Sequence, residues 1–175
     1  MTSGDAPLSL TESPGRVLDQ GDVFLEVPVL GSVGTPVQHA FADESGPAIL
    51  LTHGCMLDKP SSDGTRPRIE YLQFSRIRTV VDLSSERQAL LRRNDPTPYE
   101  VLYLGELPGI GECYTSFLET YHVAASFFDL HFVAELEGRS AACGANDTRI
   151  ASLGAPQRAL LTKKLPAFWT RQVPD

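Results

Sequence analysis

The sequence predicts a mostly β protein of the α+β class, folded as a small barrel with a C-terminal helix. Short segments rich in β-branched and aromatic residues recur along the chain, separated by turns rich in glycine and proline. This pattern favours a barrel over a doubly wound sheet, in which strands would alternate with helices. Near the C-terminus, Leu161, Leu165 and Phe168 recur at i, i+4 and i+7, which is the spacing of one face of a helix.

Length and composition limit the class of protein. The 175 residues are enough for one domain with a substantial core, and a composition of 42% hydrophobic and 21% charged residues excludes global disorder. No apolar run approaches the roughly 20 residues that span a bilayer, and residues 1–14 lack the features of a signal peptide. Three cysteines are too few for a disulfide framework. We therefore expect a cytoplasmic protein that does not associate with a membrane.

The chain is predicted to divide into a flexible N-terminal tail over residues 1–19 and a single barrel domain with a C-terminal helix over residues 20–175. The first half of the domain has the pattern of strands joined by turns, and Pro28 marks the edge or the end of the first strand. In chain order we predict a strand over 23–29, a loop over 31–36, a short strand over 37–42, a turn over 43–46, a buried strand over 47–52 and a polar loop over 59–67.

The second half mixes strands with helices. Ser84 is the predicted N-cap of a helix, Pro156 fits the first turn of the terminal helix, and Pro166 is expected to kink or restart that helix. The predicted elements are a strand over 68–81, a helix over 84–93, a strand over 99–104, a turn-rich connector over 105–111, a strand over 113–123, a segment over 127–136 that fits either strand or helix, a loop over 138–148 and a short element over 150–153.

The most informative stretch is the end of the buried strand over 47–52, where reactive side chains follow an apolar run. His53, Cys55 and Asp58 stand together there, and an imidazole next to a thiol lowers the pKa of the thiol. His53, Cys55 and Asp58 are therefore candidate catalytic residues, with Asp58 orienting the imidazole. The alternative is a small buried cysteine at a strand end beside a surface histidine.

A metal site is a second interpretation of the same stretch. His53, Cys55 and Cys113, with His122 as a further ligand, are side chains that suit Zn²⁺. No Cys-x-x-Cys or His-x-x-x-His pair is present to anchor such a site, so the sequence assigns no metal and leaves the cofactor unknown.

Charge is distributed in bands. Residues 66–93 and 148–175 are basic, whereas residues 1–64 and 94–147 are acidic, and the net charge of −7 argues against binding nucleic acid through overall charge. Within the first basic band, arginines spaced by two share one face of a strand and can contact phosphates while an aromatic ring stacks on a base. Candidate binding residues are Thr52, Arg66, Arg68, Arg76 and Arg78, with Tyr71 and Phe74 interleaved. The alternative is a set of solvated faces that balance the acidic ones.

Three landmarks resemble those of a bacterial family. Gly21-Asp22-Val23-Phe24 opens a strand, Pro47 to Thr52 forms the next buried strand, and Tyr114 to His122 forms a late strand before the terminal helix. This arrangement looks like the small SH3-like barrel of PemK/MazF-type toxins. It is more similar still to poorly characterised bacterial proteins that carry a Thr/Ser-x-x-Cys-Asp element and a tail like the one from Arg149 to Arg171.

The resemblance implies a toxin-like or defence-associated bacterial protein that binds RNA or a protein partner. The toxin-type ribonucleases carry an arginine immediately before the proline of the second strand, where this chain has Gly46, and Met56 stands where the closer relatives have an aspartate. Ribonuclease activity is therefore expected to be lost or altered. The alternative function is a small-molecule enzyme or metal-binding protein that uses Cys55, His53 and Cys113. A homodimer is also open, because Phe168 and Trp169 fit either the core or a dimer seam.

Overall fold

The chain forms a mostly antiparallel sheet with three α-helices in the described residues, which are 10–29, 45–133 and 140–171 of a computed structural model. The strands are β1 Thr11–Glu12, β2 Asp22–Pro28, β3 Ser45–Leu50, β4 Tyr71–Thr79, β5 Val101–Leu107, β6 Gly111–Ala124, β7 His131–Phe132, β8 Ala141–Ala142 and β9 Arg149–Leu153. The helices are α1 Gly54–Leu57, α2 Ser85–Arg92 and α3 Ala155–Arg171.

Seven strands form one sheet in the order β1-β9-β2-β3-β4-β6-β5, and β7 and β8 form a separate pair. Every pairing among the described strands is antiparallel, which confirms the mostly β, α+β class, and α3 confirms the C-terminal helix. Strands β1 and β5 are the two edges of this order, and among the described residues no strand pairing joins them. Closure of the sheet into a barrel therefore remains a prediction.

The two central strands β2 and β3 bury side chains on both of their faces. Successive residues of a strand point to opposite faces, yet Val23 and Phe24 are both fully buried, as are Ile49 and Leu50. One face packs in a cluster with helix α3, and the other packs in a cluster centred on Phe24, Phe74 and Phe128. Burial on both faces explains why residues 47–52 are a continuous apolar run, and the predicted buried strand is confirmed.

Helix α3 lies on the first of these clusters. Its predicted stripe of Leu161, Leu165 and Phe168 is buried there. The expectation that Pro166 restarts the helix is wrong, because α3 runs as one continuous helix from Ala155 to Arg171, whereas a kink at Pro166 stays a prediction. Pro166 lies on the exposed side, and the buried residues on either side of it hold the helix against the core despite the lost N–H.

Local signals placed most of the other elements correctly. Ser84 caps α2, since its hydroxyl accepts a hydrogen bond from the amide of Arg87, as predicted. The strand predicted over 99–104 continues instead to Leu107, because the pairing of β5 with β6 shifts between Tyr103 and Gly105 and Gly105 adopts a φ of +81°. The ambiguous segment begins as a 3-10 turn, Ala125–Phe128, and continues into β7.

Several predictions near the N-terminus fall outside the described residues. These are residues 1–9 of the predicted tail, the loop over 31–36, the strand over 37–42 and the first half of the turn over 43–46; Ser45 and Gly46 already belong to β3. Residues 10–19 of the predicted tail lie against the body of the protein. Thr11 and Glu12 pair with β9, and Leu18 is buried in the second cluster.

Within the described residues, no helix has the length and apolar character that crossing a membrane requires.

Candidate nucleic-acid interface

A groove of about 750 Å³ runs between the loop over residues 59–68 and the start of β4. Pro60 and Pro67 pair across the neck of this loop, and the amide of Arg68 donates to the carbonyl of Lys59 at 2.7 Å. The loop was predicted to be polar, and the structure shows that it is also held by its own hydrogen bonds. The residues of the groove that carry polar or aromatic groups include Ser61, Ser62, Arg66, Arg68, Tyr71 and Ser126.

The tip of the loop is organised around one carboxylate. Asp63 accepts hydrogen bonds from the hydroxyl of Ser61 at 2.6 Å and from the hydroxyl and amide of Thr65 at 2.9 and 3.1 Å. These bonds, that of Ser61 first, lower the pKa of Asp63 to about 2. The loop therefore keeps its shape at neutral pH, where this carboxylate is charged.

Arg66 and Arg68 extend from the same side of the loop. They flank Pro67, which is buried, while both arginines are exposed, as expected for residues spaced by two on an extended segment. Neither guanidinium forms an ion pair with any residue in the described parts of the chain, so both keep donors for a ligand. Glu70, also in the groove wall, partly offsets their charge.

Tyr71 supplies an aromatic surface beside these arginines. It is the first residue of β4, opposite Ala124 of β6, and its side chain is 58% exposed. The exposed ring is accessible to a ligand that occupies the groove. Guanidinium groups next to an exposed ring are the combination that binds phosphates and stacks on bases.

The other two predicted arginines do not join this groove. Arg78 forms an ion pair with Glu119 of β6, with its Nη2 2.8 Å from Oε2, and this contact raises the pKa of the arginine. Arg76 is half-buried beside Tyr121. Arg76 and Arg78 lie five and seven residues beyond Tyr71 along β4, which is roughly 17–24 Å at about 3.4 Å per residue, so they do not reach the groove. The predicted basic band is therefore divided, and only its first half lines the groove.

The three candidate catalytic residues cluster around the short helix α1. His53 is its N-cap residue, and Nδ1 of the imidazole accepts a hydrogen bond from the backbone amide of Cys55 at 3.2 Å. Asp58 is the C-cap residue, and its amide donates to the carbonyl of Gly54. Cys55 is an exposed free cysteine. Among the described residues, no hydrogen bond connects the Cys55 thiol with His53 or connects His53 with the Asp58 carboxylate, and a catalytic role for these three residues stays a prediction.

Thr52, which was predicted to bind a ligand, lies outside the groove. Its side chain is buried, and its hydroxyl oxygen accepts a hydrogen bond from the amide of Gln73 at 2.8 Å. The hydroxyl thus continues the pairing of β3 with β4 beyond Leu50, and Thr52 does not line the groove.

The predicted metal ligands are not brought together. Cys113 is fully buried in the first core cluster, where its thiol donates to the carbonyl of Gly111, and burial raises its pKa to about 11. Cys55 is exposed on α1, and His122 is exposed on β6. Within residues 10–29, 45–133 and 140–171, no group of three or more His, Cys, Asp or Glu residues is arranged to hold a metal ion. The metal-binding interpretation of His53, Cys55 and Cys113 stays a prediction, and no ligand cluster among the described residues supports it.

Sequence reasoning missed a polar cluster on β5 and β6. The hydroxyl of Tyr103 donates to Glu112 at 2.6 Å, and Arg92 of α2 holds the same carboxylate through two bonds of 2.6 Å. Arg92 and Tyr103 lower the pKa of Glu112 to about 2, and burial beside this carboxylate raises the pKa of Tyr103 to about 12. Alternation along β5 and β6 was readable from the sequence, but the pairing register that brings these residues together was not.

The chain matches no protein-family model and no curated protein.

Proposed function

We propose that this chain is a PemK/MazF-like barrel protein that binds single-stranded RNA in the groove formed by Arg66, Arg68 and Tyr71. The observation that carries the proposal is the position of two exposed guanidinium groups, without ion pairs in the described residues, beside an exposed tyrosine ring. Contacts with phosphates provide affinity that does not depend on sequence, and an aromatic ring stacks on any base. The two together favour a single strand, whose bases are free to unstack.

The dimensions of the groove agree with this ligand. A volume of about 750 Å³ can hold a few nucleotides but is too small for a duplex to enter. Serine hydroxyls in the same wall, those of Ser61, Ser62 and Ser126, offer further hydrogen bonds to phosphate or ribose. The net charge of −7 elsewhere on the chain limits binding to this local basic surface.

The barrel part of the proposal is supported by the approach of the two edges of the sheet. Leu10 precedes β1, and its Cδ1 would lie 3.0 Å from a Cβ at Gly105 of β5. The carbonyl of Leu10 also accepts a hydrogen bond from Gly154, just beyond β9. Edge strands that approach so closely are what a strongly coiled sheet, near closure, requires.

The proposed protein binds RNA but does not cleave it by the mechanism of the toxin-type ribonucleases. Gly46 occupies the position at which the toxin-type ribonucleases carry arginine, and Thr52 serves the strand pairing. No described residue lies within 4 Å of a Cβ built at Gly46, so lack of space is not the reason for the glycine. A cytoplasmic, defence-associated role is part of the proposal and depends on the resemblance alone.

Fluorescence anisotropy with a short labelled single-stranded RNA tests this function. We expect Tyr71→Ala to weaken binding by about 1–3 kcal/mol, because a stacked base is lost. Arg66→Gln and Arg68→Gln should each weaken binding and reduce the slope of log K against log salt concentration by roughly 0.7, which is the value for one phosphate contact on a single strand.

The matched controls lie outside the groove. Arg93→Gln removes an exposed arginine after α2, and Cys55→Ala removes the exposed thiol; both should bind RNA like the wild type. The proposal fails if the wild type does not bind the RNA, if Arg93→Gln is as damaging as Arg66→Gln, or if a duplex binds as tightly as the single strand. A protein partner would then be the next candidate ligand.

A further inference from the structure

A second cavity of about 470 Å³ lies on the opposite side of β6 from the core, between α2, β5, β6 and a side chain of α3. Its walls include the aliphatic side chains of Leu83, Leu90, Leu91 and Val101 and the rings of Tyr103 and Tyr114, which form an apolar surface among polar and charged side chains. The volume falls within the range of sites for small organic molecules, which are typically apolar pockets with a few polar groups that fix orientation. No part of the proposed RNA groove contributes to this cavity.

The exceptional polar group in this wall is Lys164. Its side chain comes from α3 and is only 3% exposed. Its Nζ donates to two backbone carbonyls, those of Pro98 at 3.0 Å and Val101 at 2.8 Å. An ammonium group has three donors, and in the described residues no acceptor takes the third.

The charge of Lys164 also lacks a direct partner. No carboxylate in the described parts of the chain lies within ion-pair distance of Nζ. Burial lowers the pKa of this lysine, and the more distant Glu100 and Asp95 oppose the shift without cancelling it. A buried ammonium with a free donor and no counter-ion is costly for the protein alone, and an anion in the cavity would offset that cost.

We propose that this cavity binds a small organic monocarboxylate, whose carboxylate accepts the third N–H of Lys164 and whose apolar body lies between α2 and β5. The ligand is a monoanion because three carboxylates, those of Asp95, Glu100 and Glu119, also line the cavity and would repel a second negative charge; the Glu119 carboxylate is itself paired with Arg78. The aliphatic walls require a body of hydrocarbon or aromatic character. Arg87, exposed and without an ion pair in the described residues, lies at the α2 side of the same cavity, where it adds attraction for an acid.

Titration calorimetry with octanoate, octanol and octylamine tests the proposal with three ligands of one chain length and different charge. We expect the wild-type protein to bind octanoate more tightly than the neutral or the cationic ligand. Lys164→Met should weaken octanoate binding on the order of tenfold or more, since a charge-assisted hydrogen bond is lost, and should leave octanol binding unchanged. The matched control is Lys163→Met, which removes the neighbouring, exposed lysine of α3 and should bind octanoate like the wild type.

A second variant covers the outcome in which Lys164→Met fails to fold because two carbonyls lose their donor. Leu90→Trp places a larger side chain at the cavity from a position that is 53% exposed, so the fold should tolerate it, and octanoate binding should be lost. The proposal is overturned if octanoate does not bind the wild type, if octanol or octylamine binds as tightly, or if Leu90→Trp binds octanoate unchanged. None of these outcomes depends on whether the protein binds RNA.

Discussion

Arg149 and Asp22 form an ion pair that is closed off from solvent and joins β9 to β2. Nη1 of Arg149 lies 3.2 Å from Oδ2 of Asp22, and the two side chains are 6% and 1% exposed. The same guanidinium holds the N-terminal segment through the carbonyl of Val17 at 2.8 Å. Asp22 also accepts the hydroxyl of Ser152, so each buried charge has several hydrogen-bond partners. This pair explains why residues 10–19 belong to the body of the protein.

Removing one member of this pair should cost much stability. Arg149→Met leaves Asp22 buried without its cation, in a place where burial already raises the pKa of the carboxyl, and we expect a loss of about 3–5 kcal/mol. The matched control is Arg158→Met, whose guanidinium pairs with Glu12 and Asp19 at 39% exposure and should cost about 1 kcal/mol or less. Urea denaturation measures both variants, and equal losses would contradict the assignment of Arg149 as the anchor.

The Glu112 carboxylate should contribute to stability above acidic pH. Its pKa is about 2 in the folded protein and 4.5 in the reference state, so the unfolded chain binds the proton more readily between these values. The stabilisation is complete above the higher value and is lost as the pH falls toward the lower one. When the pH is lowered from about 5 to about 3, we therefore expect the free energy of unfolding to fall less in Glu112→Gln than in the wild type.

The control for this pH dependence is Glu106→Gln. Glu106 is an exposed carboxylate of β5 that accepts no hydrogen bond from the described residues. Its variant should follow the wild-type stability curve, as measured by chemical denaturation at each pH. An unchanged acid limb in Glu112→Gln would show that the bonds from Arg92 and Tyr103 do not persist in solution.

The three cysteines should differ sharply in reactivity. Cys55 is exposed, whereas burial raises the pKa of Cys113 to about 11 and that of Cys143 to about 12. Because the thiolate is the reacting form, we expect one fast thiol with Ellman's reagent in the native protein and three after unfolding. Cys55→Ser should remove the fast phase and leave the slow one, and a fast reaction that survives this substitution would show that Cys113 or Cys143 is accessible to the reagent.

Two adjacent aromatic residues of α3 differ in burial: one packs in the core and the other is exposed. Phe168 is 9% exposed and packs on Phe117 with ring centroids 6.0 Å apart, whereas Trp169 is 45% exposed. Phe168→Ala should cost about 3–5 kcal/mol in guanidinium denaturation. Trp169→Ala should cost about 1 kcal/mol or less. A large cost for Trp169→Ala that grows with protein concentration would instead indicate that Trp169 lies in a dimer seam.

The sequence predicted the elements whose signals are local. The apolar run from Pro47 to Thr52 indicated a buried strand, Ser84 indicated a helix start, and Leu161, Leu165 and Phe168 indicated one face of a helix. Strand ends were predicted less well, because Gly105 allows β5 to continue through an irregularity that resembles a turn in the sequence. Pro166 does not restart α3, since the burial of Leu165 and Phe168 holds the helix against the core despite one missing hydrogen bond.

The candidate site was only partly predictable. The sequence named Arg66, Arg68 and Tyr71, and all three are exposed along one groove. The ion pair of Arg78 with Glu119 could not be predicted, because it depends on how β4 pairs with β6. His53 and Cys55 follow the buried strand, as the sequence predicted. The sequence did not show that the imidazole of His53 caps α1 by accepting a hydrogen bond from the backbone amide of Cys55.

The sequence by itself determined the class of fold, the positions of most strands and helices, and the stretch of polar residues that follows β3, because periodicity, caps and turn residues act over a few positions. Only the tertiary structure decided which distant side chains meet, as in Arg149 with Asp22, Tyr103 with Glu112 and Lys164 with the carbonyls of Pro98 and Val101. These contacts depend on strand register and on burial, and both are set by the packing of the whole chain rather than by any local pattern.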